Sequence, residues 1–143
     1  PLTNGSNDAY ANSIFVSGSD VYICGDEYVS GKIIAKWWKN SSLQPVLSNG
    51  TQSAKSIFVS GSDVYIARYD ISRTNAKFWK NGILQNLSDQ ESNTNSIFVL
   101  GTDVYICGKK TNTGKATWWK NGVEQPINCG YSSEATSIFV AIN

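Results

Sequence analysis

The chain has 143 residues, of which 41% are hydrophobic and 16% are charged, and its formal net charge is +1. This composition is typical of a single globular domain, and it is too apolar and too weakly charged for a disordered chain. The basic residues are scattered and no apolar run approaches the roughly 20 residues needed to cross a bilayer, so neither nucleic-acid binding nor membrane insertion is predicted.

The same phrase returns along the chain at a regular interval. SIFVSGSDVYI occurs twice without a change, at 13–23 and 56–66, and SIFVLGTDVYI follows at 96–106. A further SIFV occupies 137–140, and residues 1–16 match the end of one repeat and the start of the next. An interval of about 40 residues is typical of propeller blades and of helical-pair arrays, so the residue types must decide between them.

Each repeat contains four short pieces rich in β-branched and aromatic residues. In the first repeat these are SIFV, DVYIC, AKWWKN and LQPVL, and the later repeats keep the pattern. Gly, Asn, Ser and Asp separate the pieces, and no stretch shows apolar residues at helical spacing. The pattern predicts four antiparallel strands in each repeat, which we label A, B, C and D.

The turns between these strands carry hairpin signals. SGSD or LGTD joins strand A to strand B, and Asn81-Gly82 and Asn121-Gly122 join strand C to strand D. Asn-Gly favours a two-residue type I′ turn, because both central residues need a positive φ. The first repeat has Asn40-Ser41-Ser42 instead, for which we expect a longer and looser turn.

Large aromatic side chains must project from both faces of every predicted sheet. Trp37 and Trp38 are neighbours in strand C, so they point to opposite faces, and Phe78-Trp79 and Trp118-Trp119 repeat the arrangement. A sheet with one wet face would leave such rings in water. Sheets stacked face to face would bury them, which predicts packing between repeats in preference to sugar-stacking platforms.

Four-stranded units of about 40 residues, apolar on both faces, resemble the blades of a β-propeller. The resemblance covers essentially the whole chain and is to divergent bacterial propeller arrays with an NHL-like strand order. WD repeats need a Gly-His pair and kelch repeats a double glycine, and the chain has neither. The predicted fold is an all-β propeller segment, 1–143, with blades at about 12–50, 54–90 and 94–130 and a terminal inner strand at 136–142.

Three blades are too few to close a ring, since propellers typically have four to eight. Either the chain is a piece of a longer array, or identical chains complete the ring by head-to-tail association. For self-association we favour a homodimer with six blades over a homotrimer with nine. The terminal strand at 136–142 would then pair across the junction as a latch or be displaced.

The sequence offers no catalytic or metal-binding signature. It contains no histidine, which removes the commonest general base and metal ligand. Asp20, Asp63 and Asp103 recur just after the A–B turn, where we expect each to hydrogen-bond its own hairpin, because a calcium loop needs several oxygen ligands at close spacing. We therefore predict a protein that is not an enzyme, with no catalytic residues, metal or cofactor.

The three cysteines are not expected to form a disulfide. Cys24 and Cys107 occupy equivalent positions of different repeats, so they should be far apart and act as small apolar residues in strand B. Cys129 lies in a predicted loop and is a candidate for a reactive free thiol.

The repeats differ mainly in their B–C and D–A loops, which project from the same end of a meander. Binding residues often lie on loops held by a rigid scaffold, although such loops also drift when nothing constrains them. The candidate binding surface on this end comprises Asp26, Glu27, Tyr28, Arg68, Tyr69, Asp70, Lys109 and Lys110.

Three functions remain in view at this stage. The first is a binding or scaffold module that meets a protein or glycan and closes its ring with identical chains. The second is a structural repeat fragment of a larger surface protein with no ligand of its own. The third is a lectin-like, glycan-binding propeller. The family resemblance implies an extracellular or cell-surface location.

Overall fold

A computed structural model of the chain describes residues 2–48, 50–72 and 75–141. Over these residues the chain forms eleven β-strands and no helix, which confirms the predicted all-β class. All strand pairs within the sheets are antiparallel, and no helix in the described ranges could span a membrane.

The strands fall into three successive units, and consecutive strands pair in each. Unit 1 is formed by β1 (Ala9–Ser17), β2 (Asp20–Val29), β3 (Lys32–Lys39) and β4 (Ser42–Leu43). Unit 2 is formed by β5 (Gln52–Ser60), β6 (Asp63–Asp70), β7 (Asn75–Lys80) and the first part of β8 (Ile83–Leu100). Unit 3 is formed by the rest of β8, β9 (Asp103–Lys110), β10 (Ala116–Lys120) and β11 (Val123–Pro126).

The predicted meander of four strands per repeat is therefore present, but the boundary between units 2 and 3 differs from the prediction. β8 runs through without a turn, pairing first with β7 and then with β9, so these units form one seven-stranded sheet. The D–A connection between these two units, at 87–95, was expected to be a loop. That stretch contains neither Gly nor Pro, whereas Pro45 and Gly50 interrupt the corresponding connection after unit 1.

The hairpin turns follow the expected chemistry, with one correction. Asn81-Gly82 and Asn121-Gly122 have φ values of 52° and 78°, and of 50° and 80°, as a type I′ turn requires. Asn40-Ser41 adopts the same conformation, with φ values of 49° and 65°, and Lys39 pairs directly with Ser42. The prediction of a looser turn in unit 1 is wrong. Asn40 tolerates the left-handed region of φ, and Ser41 adopts that region although it is unfavourable for serine.

Each unit has two apolar faces of different composition. The isoleucine face carries the residues equivalent to Ile57, Ile66 and Trp79, and the tyrosine face carries those equivalent to Tyr22 and Trp37. The isoleucine face of unit 2 packs on the tyrosine face of unit 1, and unit 3 packs on unit 2 in the same way. The predicted sandwiching of aromatic rings between neighbouring units is thereby confirmed at both junctions.

The buried tryptophans dominate these junctions. Trp79 and Trp119 are almost completely buried, one at each junction. A ring of this size removes about 150–250 Å² from water, which corresponds to roughly 4–6 kcal/mol against an extended reference chain. Stacking of the units is therefore the main source of burial in this fold.

The A strands of successive units contact one another along a second line. Ser13 Oγ accepts a hydrogen bond from the backbone N–H of Ile57 at 3.2 Å, and Ser56 Oγ accepts one from Ile97 at 3.3 Å. Beside them the rings of Phe15, Phe58 and Phe98 pack in a tilted arrangement with centroid distances of 4.5 and 4.7 Å. The identical SIFV phrases thus form a ladder that runs from unit to unit.

The described residues do not close a ring. The segment predicted as a terminal inner strand is not a strand over 136–141, since no neighbouring strand pairs with it among the described residues, and residue 142 lies outside them. This segment, 135–141, nevertheless lies on unit 3 and is called the C-terminal segment below.

Candidate functional site

The two ends of the units differ in chemistry, as the repeat pattern indicates. At one end, called the uniform end, lie the A–B and C–D turns, and at the other, called the varied end, lie the B–C and D–A connections. The uniform end is built the same way three times. The varied end changes from unit to unit and carries the candidate binding residues.

A clamp between two turns holds the uniform end together. In unit 2, Asp63 accepts a hydrogen bond from Asn81 Nδ2 at 2.8 Å and forms an ion pair with Lys80 at 2.8 Å, while Asn81 Oδ1 accepts from the N–H of Val64. The hydrogen bond and charge of Lys80, followed by Asn81, hold the pKa of Asp63 below its usual value.

The equivalent residues of units 1 and 3 repeat this clamp. Its members there are Asp20, Lys39, Asn40, Asp103, Lys120 and Asn121. The aspartates were expected to bond their own A–B hairpin. They bind the neighbouring C–D turn instead, because two-residue turns bring the asparagine side chain next to the start of strand B. These carboxylates therefore have a structural role.

The eight candidate residues lie in strands and not in loops. β2 continues to Val29 and the chain turns through Ser30-Gly31, so Asp26, Glu27 and Tyr28 are paired residues of the sheet. The candidate residues of units 2 and 3 likewise lie within strands, at the ends of β6 and β9. Their variation between repeats indicated loops, whereas strand B continues through them, and even Gly25 and Gly108 occupy paired positions in strands.

Asp26 is buried at the junction between units 1 and 2. Its carboxylate accepts hydrogen bonds from Asn12 Nδ2 at 2.8 Å, from Ser53 Oγ at 2.5 Å and from the N–H of Ala54 at 2.9 Å. Asn12 also donates to the carbonyl of Ala54 at 2.8 Å. Asp26 thus ties strand B of one unit to strand A of the next.

Arg68 and Asp70 form a buried ion pair in unit 2. Burial lowers the pKa of the Arg68 guanidinium, and the Asp70 charge opposes that change. The backbone N–H of Asp70 donates to Asn93 Oδ1 at 2.9 Å, and that of Arg68 donates to Thr94 Oγ1 at 2.7 Å. This pair therefore belongs to the junction between units 2 and 3 as well as to the varied end.

Two further candidate residues are engaged with their own sheets. Lys110 Nζ lies 2.8 and 3.0 Å from the carboxylate oxygens of Glu124. Glu27 pairs with Lys36, whose charged hydrogen bond lowers the pKa of the Glu27 carboxyl, with a further contribution from Asn7. The first pair joins β9 to β11 across β10, and the second joins the adjacent strands β2 and β3.

The remaining candidates are accessible, and the structure brings some of them together. Tyr28 is exposed and stands apart on unit 1. Tyr69, Asp70 and Lys109 line one polar cavity of about 390 Å³ between units 2 and 3. The other polar residues that line this cavity are Asn93, Thr111 and Glu134. The cavity offers a phenol ring, an ammonium group, amides and carboxylates within a single pocket.

Two groups of residues with clear roles were not identified from the sequence. Asn93 and Glu134 lie in D–A connections, and only the fold shows that they meet Lys109 in the cavity. The serine that precedes each IFV was overlooked although it is identical in all four copies, which is the signal that could have revealed the ladder of Ser13, Ser56 and their equivalents.

Among the described residues no cluster of three or more His, Cys, Asp or Glu side chains could hold a metal ion. Comparison of the chain with protein-family models, with curated proteins and with solved structures found no match in any of the three.

Proposed function

We propose that the chain is a β-propeller segment that acts as a non-catalytic scaffold or binding module and completes its ring with identical chains. The proposal is supported by the way the units stack, because unit 2 packs its isoleucine face on unit 1 and its tyrosine face on unit 3. At its two ends such a row has one face of each kind that no neighbouring unit covers.

The main support for the proposal is that identical residues at equivalent positions of the units differ in solvent exposure. Ile57 and Ile97 are each 3% exposed, whereas the equivalent Ile14 of unit 1 is 64% exposed. Val16 is 58% exposed, and its equivalent Val59 is buried. Ile14 and Val16 therefore leave in water apolar surface that their equivalents bury, whereas Trp38 on the same face is 2% exposed and lies beside the N-terminal residues Leu2 and Thr3.

The tyrosine face of unit 3 is the complementary half of the same junction. Tyr105, Trp118 and Ile127 line an apolar groove of about 390 Å³ there, together with residues of the C-terminal segment. At the internal junctions the equivalents of Tyr105 and Trp118 are covered by the isoleucine face of the next unit. We call this surface the C-terminal groove.

The free faces fit each other, so association is head to tail. Such contacts close into rings when the rotation between copies permits. Two copies would supply six units and three would supply nine. We favour the dimer, because six lies within the usual range for propellers.

Solution mass measured by light scattering tests this proposal. We expect a species of twice 15.6 kDa that dissociates on dilution. Ile14→Asp should abolish the association without unfolding the chain, since Ile14 is already mostly in water. Ile83→Asp is the matched control, because Ile83 is 67% exposed on the outer strand of unit 2 and should leave the mass unchanged. A wild-type monomer at high concentration would refute the proposal.

The polar cavity at the varied end favours a second role, binding of a polyhydroxylated ligand such as a glycan. Pockets for such ligands combine an aromatic ring with a few convergent polar groups, as Tyr69, Asp70 and Lys109 do here. A glycan array probed with the wild type and with Tyr69→Ala tests this role. Tyr28→Ala is the control, because Tyr28 is exposed outside the cavity, and an array without a reproducible hit would exclude the glycan role.

A further inference from the structure

The C-terminal segment occupies the position that strand A of a following unit would take. The N–H of Ile138 donates to Ser96 Oγ at 3.3 Å, which repeats the bonds of the ladder at the two internal junctions. The ring of Phe139 lies 5.1 Å from that of Phe98, and Asn95 Nδ2 donates to the carbonyl of Ala135 at 3.0 Å. The last contact matches the bond from Asn12 to Ala54.

The C-terminal segment lacks the neighbouring strands that accompany strand A in the three units. No strand pairs with it among the described residues, and the ring of Phe139 is 77% exposed. At the internal junctions strand A brings strands B and C with it, and these supply Ile66 and Trp79 to the core. The segment fills only part of the C-terminal groove, so Tyr105 and Trp118 stay partly exposed.

β1 carries the same phrase as the C-terminal segment and is the first strand of a whole unit. SIFV occurs at 13–16 and at 137–140, each preceded two residues earlier by alanine. β1 of a second copy could make the same contacts with Ser96, Phe98 and Asn95. In addition it would bring Val21 and Ile23 of its own unit onto the C-terminal groove.

We propose that the C-terminal groove is the docking site for β1 of a second copy, and that the C-terminal segment is a plug displaced when the copies associate. This inference rests on the head-to-tail association proposed above and names its contacts. Ile14 N–H donates to Ser96 Oγ, Asn95 donates to the carbonyl of Ala11, and the ring of Phe15 packs against that of Phe98.

The plug makes the apparent affinity between two chains lower than the intrinsic affinity of the junction that they form. A chain can dock a second copy only while its own segment is released, so the apparent dissociation constant is the intrinsic one divided by the released fraction. The few hydrogen bonds and the one half-buried isoleucine that hold the segment are fewer than the contacts of a complete unit. Weakening the plug therefore tightens the dimer.

Two variants test the displacement. One is a chain that ends at Glu134, and the other is full-length Ile138→Asp, which removes the apolar anchor of the plug and remains informative where the shortened chain folds poorly. By sedimentation velocity we expect both to lower the apparent dissociation constant about tenfold. Ile83→Asp is the control and should leave it unchanged. Ile14→Asp placed in either variant should abolish association again.

The outcomes separate this inference from the one it rests on. A wild type that dimerises but whose dimer is weakened or unaltered in both variants would overturn the plug, and weakening would identify the segment as a latch. Absence of association in every variant would overturn both proposals. Hydrogen exchange gives an independent reading, since amides of 135–141 should exchange faster in the dimer while those of β1 exchange more slowly. The reverse pattern would contradict displacement.

Discussion

Replacing Ile57 with alanine should lower the free energy of unfolding by about 2–4 kcal/mol, while the same change at Ile14 should lower it by less than about 1 kcal/mol. Both residues lie in the unaltered phrase SIFVSGSDVYI and in the same position of strand A. The two residues differ in that a neighbouring unit covers Ile57 and none covers Ile14. The pair therefore measures the contribution of stacking with local sequence held constant.

The magnitudes follow from burial. Isoleucine to alanine removes three carbon atoms, which are worth about 0.8 kcal/mol each when fully buried, and a residual cavity adds to the loss. Ile57 is 3% exposed and experiences the full effect. Ile14 is 64% exposed, so only about a third of the transfer free energy is at stake and no closed cavity forms.

Urea unfolding followed by tryptophan fluorescence is the appropriate assay, at a concentration low enough to keep the chain monomeric. The midpoints should differ while the slopes remain equal. Ile97→Ala provides a second buried example and should resemble Ile57→Ala. Equal losses at Ile14 and Ile57 would refute the reasoning, because they would mean that the isoleucine face of unit 1 is covered or that stacking contributes little.

Three further predictions concern the turns, the clamp and the thiols. Ser41→Gly should raise the free energy of unfolding by about 0.5–1 kcal/mol, since it relieves a left-handed serine at the position that Gly82 and Gly122 occupy; a loss in urea unfolding would contradict this. The folded pKa of Asp63 lies below its ordinary value of 3.8, so the stabilisation by its charge is present above that value and disappears as the pH falls through the folded pKa. The wild type should therefore exceed Asp63→Asn in thermal stability at pH 7 and approach it towards about pH 2. A difference that persisted in acid would exclude the clamp as its cause. Thiol reagents should label Cys129 in the native chain and Cys24 and Cys107 only on unfolding, because both are buried and burial raises the pKa of Cys107 to about 11; mass spectrometry showing early labelling of Cys107 would contradict the packing.

Much of the local structure could be predicted from the sequence, because it depends on residues close together in the chain. The four strands of each repeat and the Asn-Gly turns follow from β-branched runs and from residues that tolerate positive φ. The apolar character of both faces follows from alternation along strand C. These features require no knowledge of the neighbouring units.

The composition of the candidate site depended on contacts between units and could not be predicted. Asp26 was assigned to an exposed loop, yet it is buried against Ser53 and Ala54 of the next unit. Lys109 meets Tyr69 and Glu134 only because unit 3 lies on unit 2 and the residue before the C-terminal segment returns to the same cavity. Charge and polarity in the sequence indicate solvent exposure on average, and they fail where a buried polar group finds partners far away in the chain.

The unbroken course of β8 has a mechanical consequence. Its 18 residues serve as the outer strand of unit 2 and the inner strand of unit 3, so these two units share one piece of backbone. Units 1 and 2 are joined instead by a connection that contains Pro45 and Gly50. Force applied between the termini will therefore detach unit 1 first and leave a two-unit remnant, giving the chain an inherent order of rupture.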